Sequence, residues 1–299
     1  MAHVRIGIDL GGTKTEVIAL DALGRELLRR RVSSAQGDYA ATLHMLVALV
    51  HETEARVGQA ASIGIGTPGA LSPATGLLRN SNSTWLNGKP LQRDLIERLG
   101  REVRIENDAN CFALSEAIDG AGAGYRTVFG VILGTGVGGG IVVDGKLLHG
   151  PNRIAGEWGH NPLPWPTREE RPGPACYCGR SGCIETYLSG PALTRDHLAT
   201  TGIALEPVQI FEAARTGELC ALASVERYEQ RFARALGHVI NILDPDAIVL
   251  GGGLSNVDRW LETVPRLWRQ WVFSDRVETR LLRHRHGDSS GVRGAAWLG

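Results

Sequence analysis

The sequence predicts an α/β protein built from two related halves. Three observations carry that reading: a strand–glycine–strand opening at residues 4–21, a second copy of the same layout at residues 128–143, and amphipathic helical stretches between and after them. In the first copy the apolar alternating run Val4-Arg5-Ile6-Gly7-Ile8 delivers Asp9 into Gly11-Gly12-Thr13-Lys14-Thr15. In the second, residues 128–133 run into Gly134-Thr135-Gly136-Val137-Gly138-Gly139-Gly140, then Ile141-Val142-Val143 and an Asp144-Gly145 turn. Paired glycines let backbone N–H groups and the Thr13 hydroxyl approach phosphate oxygens, with Asp9 placed near an accompanying metal ion. One such turn reads equally well as a plain hairpin. Two in one chain suggest a single nucleotide held between the halves.

The elements follow in order. Residues 4–9, 15–21 and 26–32 read as an antiparallel meander turning at Gly11-Gly12 and at residues 21–24. Leu43, Leu46, Val47 and Val50 recur three or four apart within residues 39–57, which marks a helix able to cover the sheet. Strands follow at 62–66, ending in Gly66-Thr67-Pro68-Gly69, and at 102–106, passing through Asn107-Asp108 into a helix that reaches Ile118. The glycine-dense stretch 120–124 is the expected crossing between halves. Residues 151–174 form an irregular Pro-rich region, and loops of that length usually carry function or disorder. Helices are expected at 207–215 and 222–243, the second with Leu222, Val225, Tyr228, Phe232, Leu236, Val239 and Ile240 as a core stripe ended by Asp244-Pro245. A buried strand at 247–250 then meets a third glycine cluster, Gly251-Gly252-Gly253, a candidate floor for a base or ribose.

Two familiar nucleotide motifs are excluded. Gly134, Gly136 and Gly139 match the dinucleotide spacing, but that fingerprint opens a helix, and residues 141–145 read as strand and hairpin turn. The first turn lacks the Gly-Lys-Ser/Thr ending of a P-loop, because Thr13 separates Gly12 from Lys14.

At 299 residues and 43% apolar composition the chain has ample material for a core and for two domains. Lys plus Arg and Asp plus Glu both number 32, so nothing indicates a sequence-independent grip on nucleic acid or an anionic membrane. No signal peptide precedes the first strand and no apolar run approaches the ~20 residues of a membrane helix. The cytoplasm is the expected compartment, with small molecules as ligands.

Two constellations carry chemistry. Asp108 ends a strand in the run Glu106-Asn107-Asp108, where a carboxylate can take an alcohol proton while Asn107 orients a ligand hydroxyl. The competing reading makes Asp108 a helix N-cap, and one residue can serve both ends. Cys176, Cys178 and Cys183 lie within eight positions around glycines, and His160 upstream can complete a tetrahedral Zn²⁺ shell. A disulfide is the rival. Four protein ligands make such a zinc structural, anchoring the loop that carries Glu157 and Glu185. Cys111 and Cys220 stand apart and are expected to be small buried residues.

Together these motifs resemble the ROK family of bacterial repressors and sugar kinases, built on the actin-like ATPase (ribonuclease H-like) fold of two lobes with a cleft between them. The resemblance spans the whole chain and rests on Asp9-Leu10-Gly11-Gly12-Thr13-Lys14, Glu106-Asn107-Asp108, the second glycine turn, Glu157-Trp158-Gly159-His160 and the Cys176 to Glu185 knuckle. It implies ATP-dependent phosphorylation of a sugar 6-hydroxyl with Mg²⁺, and a homodimer. By carry-over Asp108 is the base, Asn107, Glu157, His160 and Glu185 surround the sugar, and His160 joins Cys176, Cys178 and Cys183 on zinc. Asp9, Gly11, Gly12, Thr13, Lys14, Gly134, Thr135 and Gly136 face ATP, with Gly252 and Gly253 near the adenosine. The lobes are expected at 1–120, with helix 287–299 returning to it, and at 121–286 with the zinc-bearing loop.

Segments 80–88, 160–165 and 286–297 look closer still to the bacterial fructokinases of that family, which also accept mannose. Fructose is therefore the expected substrate, with glucose or an N-acetylhexosamine as alternatives. A ROK repressor is disfavoured because only eight residues precede Asp9, too few for a DNA-reading domain. A non-catalytic sugar sensor is disfavoured by the presence of Asp9, Thr13, Gly136 and Asp108.

Overall fold

The computed structural model describes residues 3–299, which divide into two compact units: residues 3–123, 140–155 and 285–299, and residues 124–139 and 156–284. In the first unit, β1 (Arg5–Leu10), β2 (Lys14–Leu20) and β3 (Glu26–Ser33) form the antiparallel meander. Helix α1 (Tyr39–Val57) starts where the Asp38 side chain accepts from Ala41 N at 3.0 Å and stops at Gly58, whose φ of 75° is the left-handed cap. The chain continues through β4 (Ser62–Thr67), the small hairpin β5 (Ala70–Leu71) and β6 (Leu78–Arg79), α2 (Leu91–Leu99), β7 (Val103–Asn107) and α3 (Asp108–Ile118). Sheet order is β3-β2-β1-β4-β7, with β4 parallel to both β1 and β7.

The second sheet repeats this order. Strands β8 (Thr127–Leu133), β9 (Val137–Val143) and β10 (Lys146–Leu147) are followed by β11 (Ala247–Gly251) and β12 (Arg280–Arg283), in the order β10-β9-β8-β11-β12. Again the fourth strand in the order is flanked by parallel partners, β11 against β8 and β12. The intervening helices are α4 (Glu185–Leu188), α5 (Gly190–Thr201), α6 (Pro207–Arg215), α7 (Leu219–Leu243) and α8 (Trp260–Leu267), and α9 (Ser290–Trp297) closes the described chain. Along α7 the buried residues Val225, Tyr228, Phe232, Leu236 and Ile240 recur on one face, and Tyr228 stacks on Trp260 at 5.0 Å. Helix α7 begins one turn before the predicted 222, because the Glu218 carboxylate caps it.

In β1 the period of two separates two jobs. Ile6, Ile8 and Leu10 enter the main core with Leu43, Leu46, Leu49 and Val50 of α1. Gly7 faces α9, and a Cβ there would lie 2.1 Å from the Val292 carbonyl; at Gly64 it would lie 1.9 Å from that of Ala295. Glycine is what lets α9 rest on the sheet backbone, and Asp9 shares its edge with Gly291 of that helix, whose added Cβ would lie 3.6 Å from Asp9 Oδ2. Cys111 is buried as expected, but Cys220 is exposed, since it sits on the outer side of the first turn of α7. Among the described residues no helix is long and apolar enough to cross a membrane.

Candidate active site

The predicted residues fall into two groups, one in each unit. In the first unit β1 carries Asp9 to the strand end and β7 runs directly into α3. Asn107, not Asp108, is the N-cap: its Oδ1 accepts from Ala109 N at 2.8 Å and its Nδ2 donates to the Gly69 carbonyl at 3.1 Å. Asp108 is the first helical residue, solvent-exposed, with Oδ1 accepting from Ala109 N at 2.8 Å. That corrects the capping alternative and leaves the Asp108 carboxylate at the surface of the helix start.

Asp9 and Asp108 are close enough to feel one another. Burial, then the Asp108 and Glu16 carboxylates, push Asp9 up to about 7, with Arg31 pulling the other way. Glu16 is itself held by Arg29 and Arg31 of β3. Carboxylates that repel in this way are a donor set suited to a hard divalent cation such as Mg²⁺. The turn above Asp9 is braced rather than loose: Gly11 N donates to Lys14 O at 3.2 Å, and Ser34 donates its N–H to Thr13 O and its hydroxyl to Gly11 O. Thr13 and Lys14 are exposed there.

In the second unit the turn Gly134-Thr135-Gly136 joins β8 to β9, with Gly134 N donating to Gly136 O at 3.0 Å and Thr135 exposed. Glu185 is bound to this turn, since its Oε2 accepts from Val137 N at 2.9 Å and would lie 2.7 Å from a Cβ at Gly136. Glu157 precedes and His160 ends a short 3₁₀ turn, Trp158–His160, seated on the same strand. Trp158 donates its Nε1 to the Gly138 carbonyl at 2.9 Å, and a Cβ at Gly159 would strike the Val137 carbonyl at 2.2 Å. Glu157, His160, Glu185 and the second glycine turn are thus gathered at one strand end.

The sulfur cluster is also gathered. His160, Cys176, Cys178 and Cys183 place one donor atom each within 4.8 Å of one another. His160 Nδ1 lies 3.5 Å from Cys176 Sγ, and Cys178 Sγ lies 3.6 Å from Cys183 Sγ. A tetrahedron with Zn–S bonds of ~2.3 Å has edges of ~3.8 Å, so the spacing fits zinc, and no disulfide is formed. Burial, then the neighbouring thiols, push Cys183 up to about 12, a cost that a divalent cation would reverse. The two nitrogens of His160 are divided: Nδ1 faces the thiols while Nε2 meets the Tyr177 hydroxyl at 2.9 Å.

The third glycine cluster separates by residue. Gly252, at φ 81°, presses on the Leu133 carbonyl, where a Cβ would lie 2.4 Å away. Gly253 opens onto a cavity of about 600 Å³ lined by Val208, Phe211, Arg215, Leu254 and Asn256. Its size and mixed lining suit a purine nucleoside. Trp85 of segment 80–88 turns inward to the first core, donating its indole N–H to the Thr42 hydroxyl at 3.2 Å.

Sequence reading missed how the Pro-rich loop is pinned. Glu170 accepts from Arg231 at 2.9 Å and from Arg234 at 2.7 and 2.8 Å, both on α7, and Trp165 of the same loop stacks on Trp271 at 5.3 Å. The spacing of Arg227, Arg231 and Arg234 on one helix face was the available signal. Burial works to raise the Glu170 carboxyl, but the two arginines and Thr167 N outweigh it and hold the group at about 2. A carboxyl depressed on folding contributes fully above its ordinary value of 4.5 and loses that contribution as pH falls towards 2. Thermal melts from pH 7 to 2.5 should show the Glu170→Gln protein less stable by at most about 3 kcal/mol at neutral pH, the gap closing in acid. Parallel curves would remove Glu170 from this role.

Strand order, duplicated sheets and paired glycine turns define an actin-like ATPase fold. The chain belongs to the ROK family, whose model matches residues 5–299, and it is an ATP-using sugar kinase of that family. It is 43% identical over 296 residues to the N-acetyl-D-glucosamine kinase of Pectobacterium atrosepticum, covering 98% of this chain and 97% of that one. It is 39% identical to the protein of the same name from Vibrio cholerae, over 98% of both chains. Among solved structures, a ROK hexokinase from Thermus thermophilus superposes with a TM-score of 0.87 at 31% identity, covering 99% and 97% of the chains. A ROK glucokinase from Streptomyces griseus, in complex with glucose and AMPPNP, gives 0.76 at 30% identity over 99% of both.

Proposed function

We propose that this kinase phosphorylates the 6-hydroxyl of N-acetyl-D-glucosamine, a reading carried by relatives of that name at 39–43% identity over nearly the full chain. Those names support the N-acetylhexosamine alternative over fructose as the leading substrate. Fructose is kept as the second reading because segments 80–88, 160–165 and 286–297 resemble fructokinases, and a few hydrogen bonds decide between hexoses.

In the proposed reaction the sugar O6 attacks the terminal phosphorus of ATP while its proton passes to Asp108, and the β–γ oxygen leaves with ADP. Asn107, Glu157, His160 and Glu185 orient the sugar hydroxyls. Backbone N–H groups of the Gly11-Gly12 and Gly134-Gly136 turns, with Thr13, Lys14 and Thr135, bind the phosphates. Asp9 would hold Mg²⁺, which supplies charge neutralisation at the phosphates. Gly253 and its cavity take the adenosine, with Gly252 fixing the turn. His160, Cys176, Cys178 and Cys183 would hold a structural zinc. A cytoplasmic homodimer belongs to the same proposal.

The test is ATP-dependent ADP release with N-acetylglucosamine, fructose, mannose and glucose, using Asp108→Asn as the blank. The highest kcat/KM is expected on N-acetylglucosamine. A preference for fructose by tenfold or more (~1.4 kcal/mol of transition-state binding) would install the second reading.

A further inference from the structure

The chain leaves or re-enters the first unit at four places, after residue 123, before 140, after 155 and before 285. In each case the nearest described residues of that unit are gripped by the segment 106–118, the end of β7 and helix α3. At the first and last, the grip is one carboxylate. Glu116 is fully buried, and its Oε2 accepts from Ala121 N at 2.8 Å and Arg285 N at 2.9 Å. Its Oε1 accepts from His286 N at 3.2 Å and from the Ser290 hydroxyl at 2.8 Å. A buried carboxylate is tolerated only when its lone pairs are filled, and here four donors from two distant segments fill them.

The other two places meet the opposite end of the helix. A Cβ on Gly140 would lie 2.8 Å from Ala113 Cβ and 2.9 Å from the Ala109 carbonyl, so β9 re-enters in backbone contact with α3. Before residue 155, His149 Nδ1 lies 3.2 Å and Arg153 Nη1 3.7 Å from Glu106 Oε1, while Asn110 of α3 donates to Glu106 Oε2 at 3.1 Å. The end of β7 and the helix that begins with Asp108 are therefore together the common attachment of the crossings.

We infer that Glu116 is a positioning residue for phosphoryl transfer: by tying both the 120–123 and 285–290 segments to α3, it fixes the helix that begins with Asp108 in place. The inference rests on the kinase reading for its catalytic consequence. Its structural half stands without it. A Gln at position 116 keeps the volume but turns its amide N–H₂ towards one pair of donors and offers the other pair a neutral amide oxygen in place of a charged one, so every bond is lost or weakened and both segments loosen.

Hydrogen exchange on the protein without ligands, comparing wild type with Glu116→Gln, is the first arm. Amides at 121–123 and 285–290 should lose protection together by tenfold or more (~10–100-fold for bonds to a charged acceptor), with β1, β4 and β8 unchanged. The second arm measures ADP and sugar phosphate in the same assay. Wild type should release close to one ADP per sugar phosphate, while the variant should lose kcat by about tenfold, with a small change in sugar KM, and release excess ADP as water competes for the phosphoryl group. A residue of merely structural role would lower the melting temperature and leave that ratio alone. Retained protection at either segment, or loosened segments with wild-type kcat and ratio, overturns the inference. If Glu116→Gln does not fold, Ser290→Ala removes one donor of the four and should shift both readouts the same way by a smaller factor. Should wild type phosphorylate no sugar, the kinase reading fails while the exchange arm still decides whether one carboxylate holds both crossings.

Discussion

Asp108→Asn is expected to lower kcat by ~10²–10⁴ while melting temperature and sugar affinity stay within error of wild type. The reasoning is geometric before it is electrostatic. Asp108 is exposed at the first position of α3, and its bond from Ala109 N at 2.8 Å is available to an amide oxygen as well as to a carboxylate. The helix cap is Asn107, so the substitution leaves the cap intact. What disappears is the proton acceptor, together with a negative charge that Asp9 feels. The Asp9 carboxyl should then fall below about 7, while burial and Glu16 still hold it above the ordinary carboxylate range. Activity should therefore vanish across the pH range instead of moving to a new optimum. Single-turnover measurements with saturating ATP would locate the loss in the chemical step. A variant that keeps most of its kcat would take Asp108 out of the base role.

Zinc removal should have the second large effect, and on two quantities at once. Cys176, Cys178 and Cys183 close a knuckle in which Cys176 N donates to Arg180 O at 2.8 Å and Gly179 N to Cys176 O at 3.0 Å. That knuckle leads straight into Glu185, which is bonded to Val137 N beside the second glycine turn. Without a cation, three crowded sulfurs and an imidazole favour protonated thiols over a shared centre, so binding energy is folding energy here. Cys178→Ser, or prolonged treatment with a strong chelator, should lower the melting temperature by several degrees and weaken sugar binding by tenfold or more, about 1.4 kcal/mol. Metal analysis of protein purified without chelators should find one zinc per chain. A preparation with no zinc and full sugar affinity would eliminate the site.

Much of the fold was legible where the signals are local. Helix α1 was bounded correctly at both ends because its apolar spacing lies between two ordinary terminators, and the opening meander was found because its turns carry glycine and Asp21. Helices α5 and α8 were missed. Gly190-Pro191 opens the first and Pro265 interrupts the second, and both patterns read as breaks until tertiary packing is known. Helix α2, nine residues long, and strand β12, four residues long, offered too little periodicity to recognise. The site residues themselves could be found one by one, because Glu106-Asn107-Asp108 and the cysteine knuckle are short runs. Their bonds could not. Asn107 tied to Gly69, Trp85 facing inward and Glu170 on two arginines depend on partners tens of residues away, and those of Glu116 lie up to 174 positions away.

The packing of α9 on β1 and β4 fixes an order of events during synthesis. Synthesis proceeds at ~5–20 residues per second, and β1 emerges ahead of the second unit. Residues 292–296, which cover Gly7 and the Ile18–Leu20 face, emerge after every residue of the second unit. Until then the first sheet carries one bare apolar face, a standing target for chaperones and for aggregation, while the second unit already has all its own sequence. A message that stalls late would release a protein with a finished second unit and an unfinished first one.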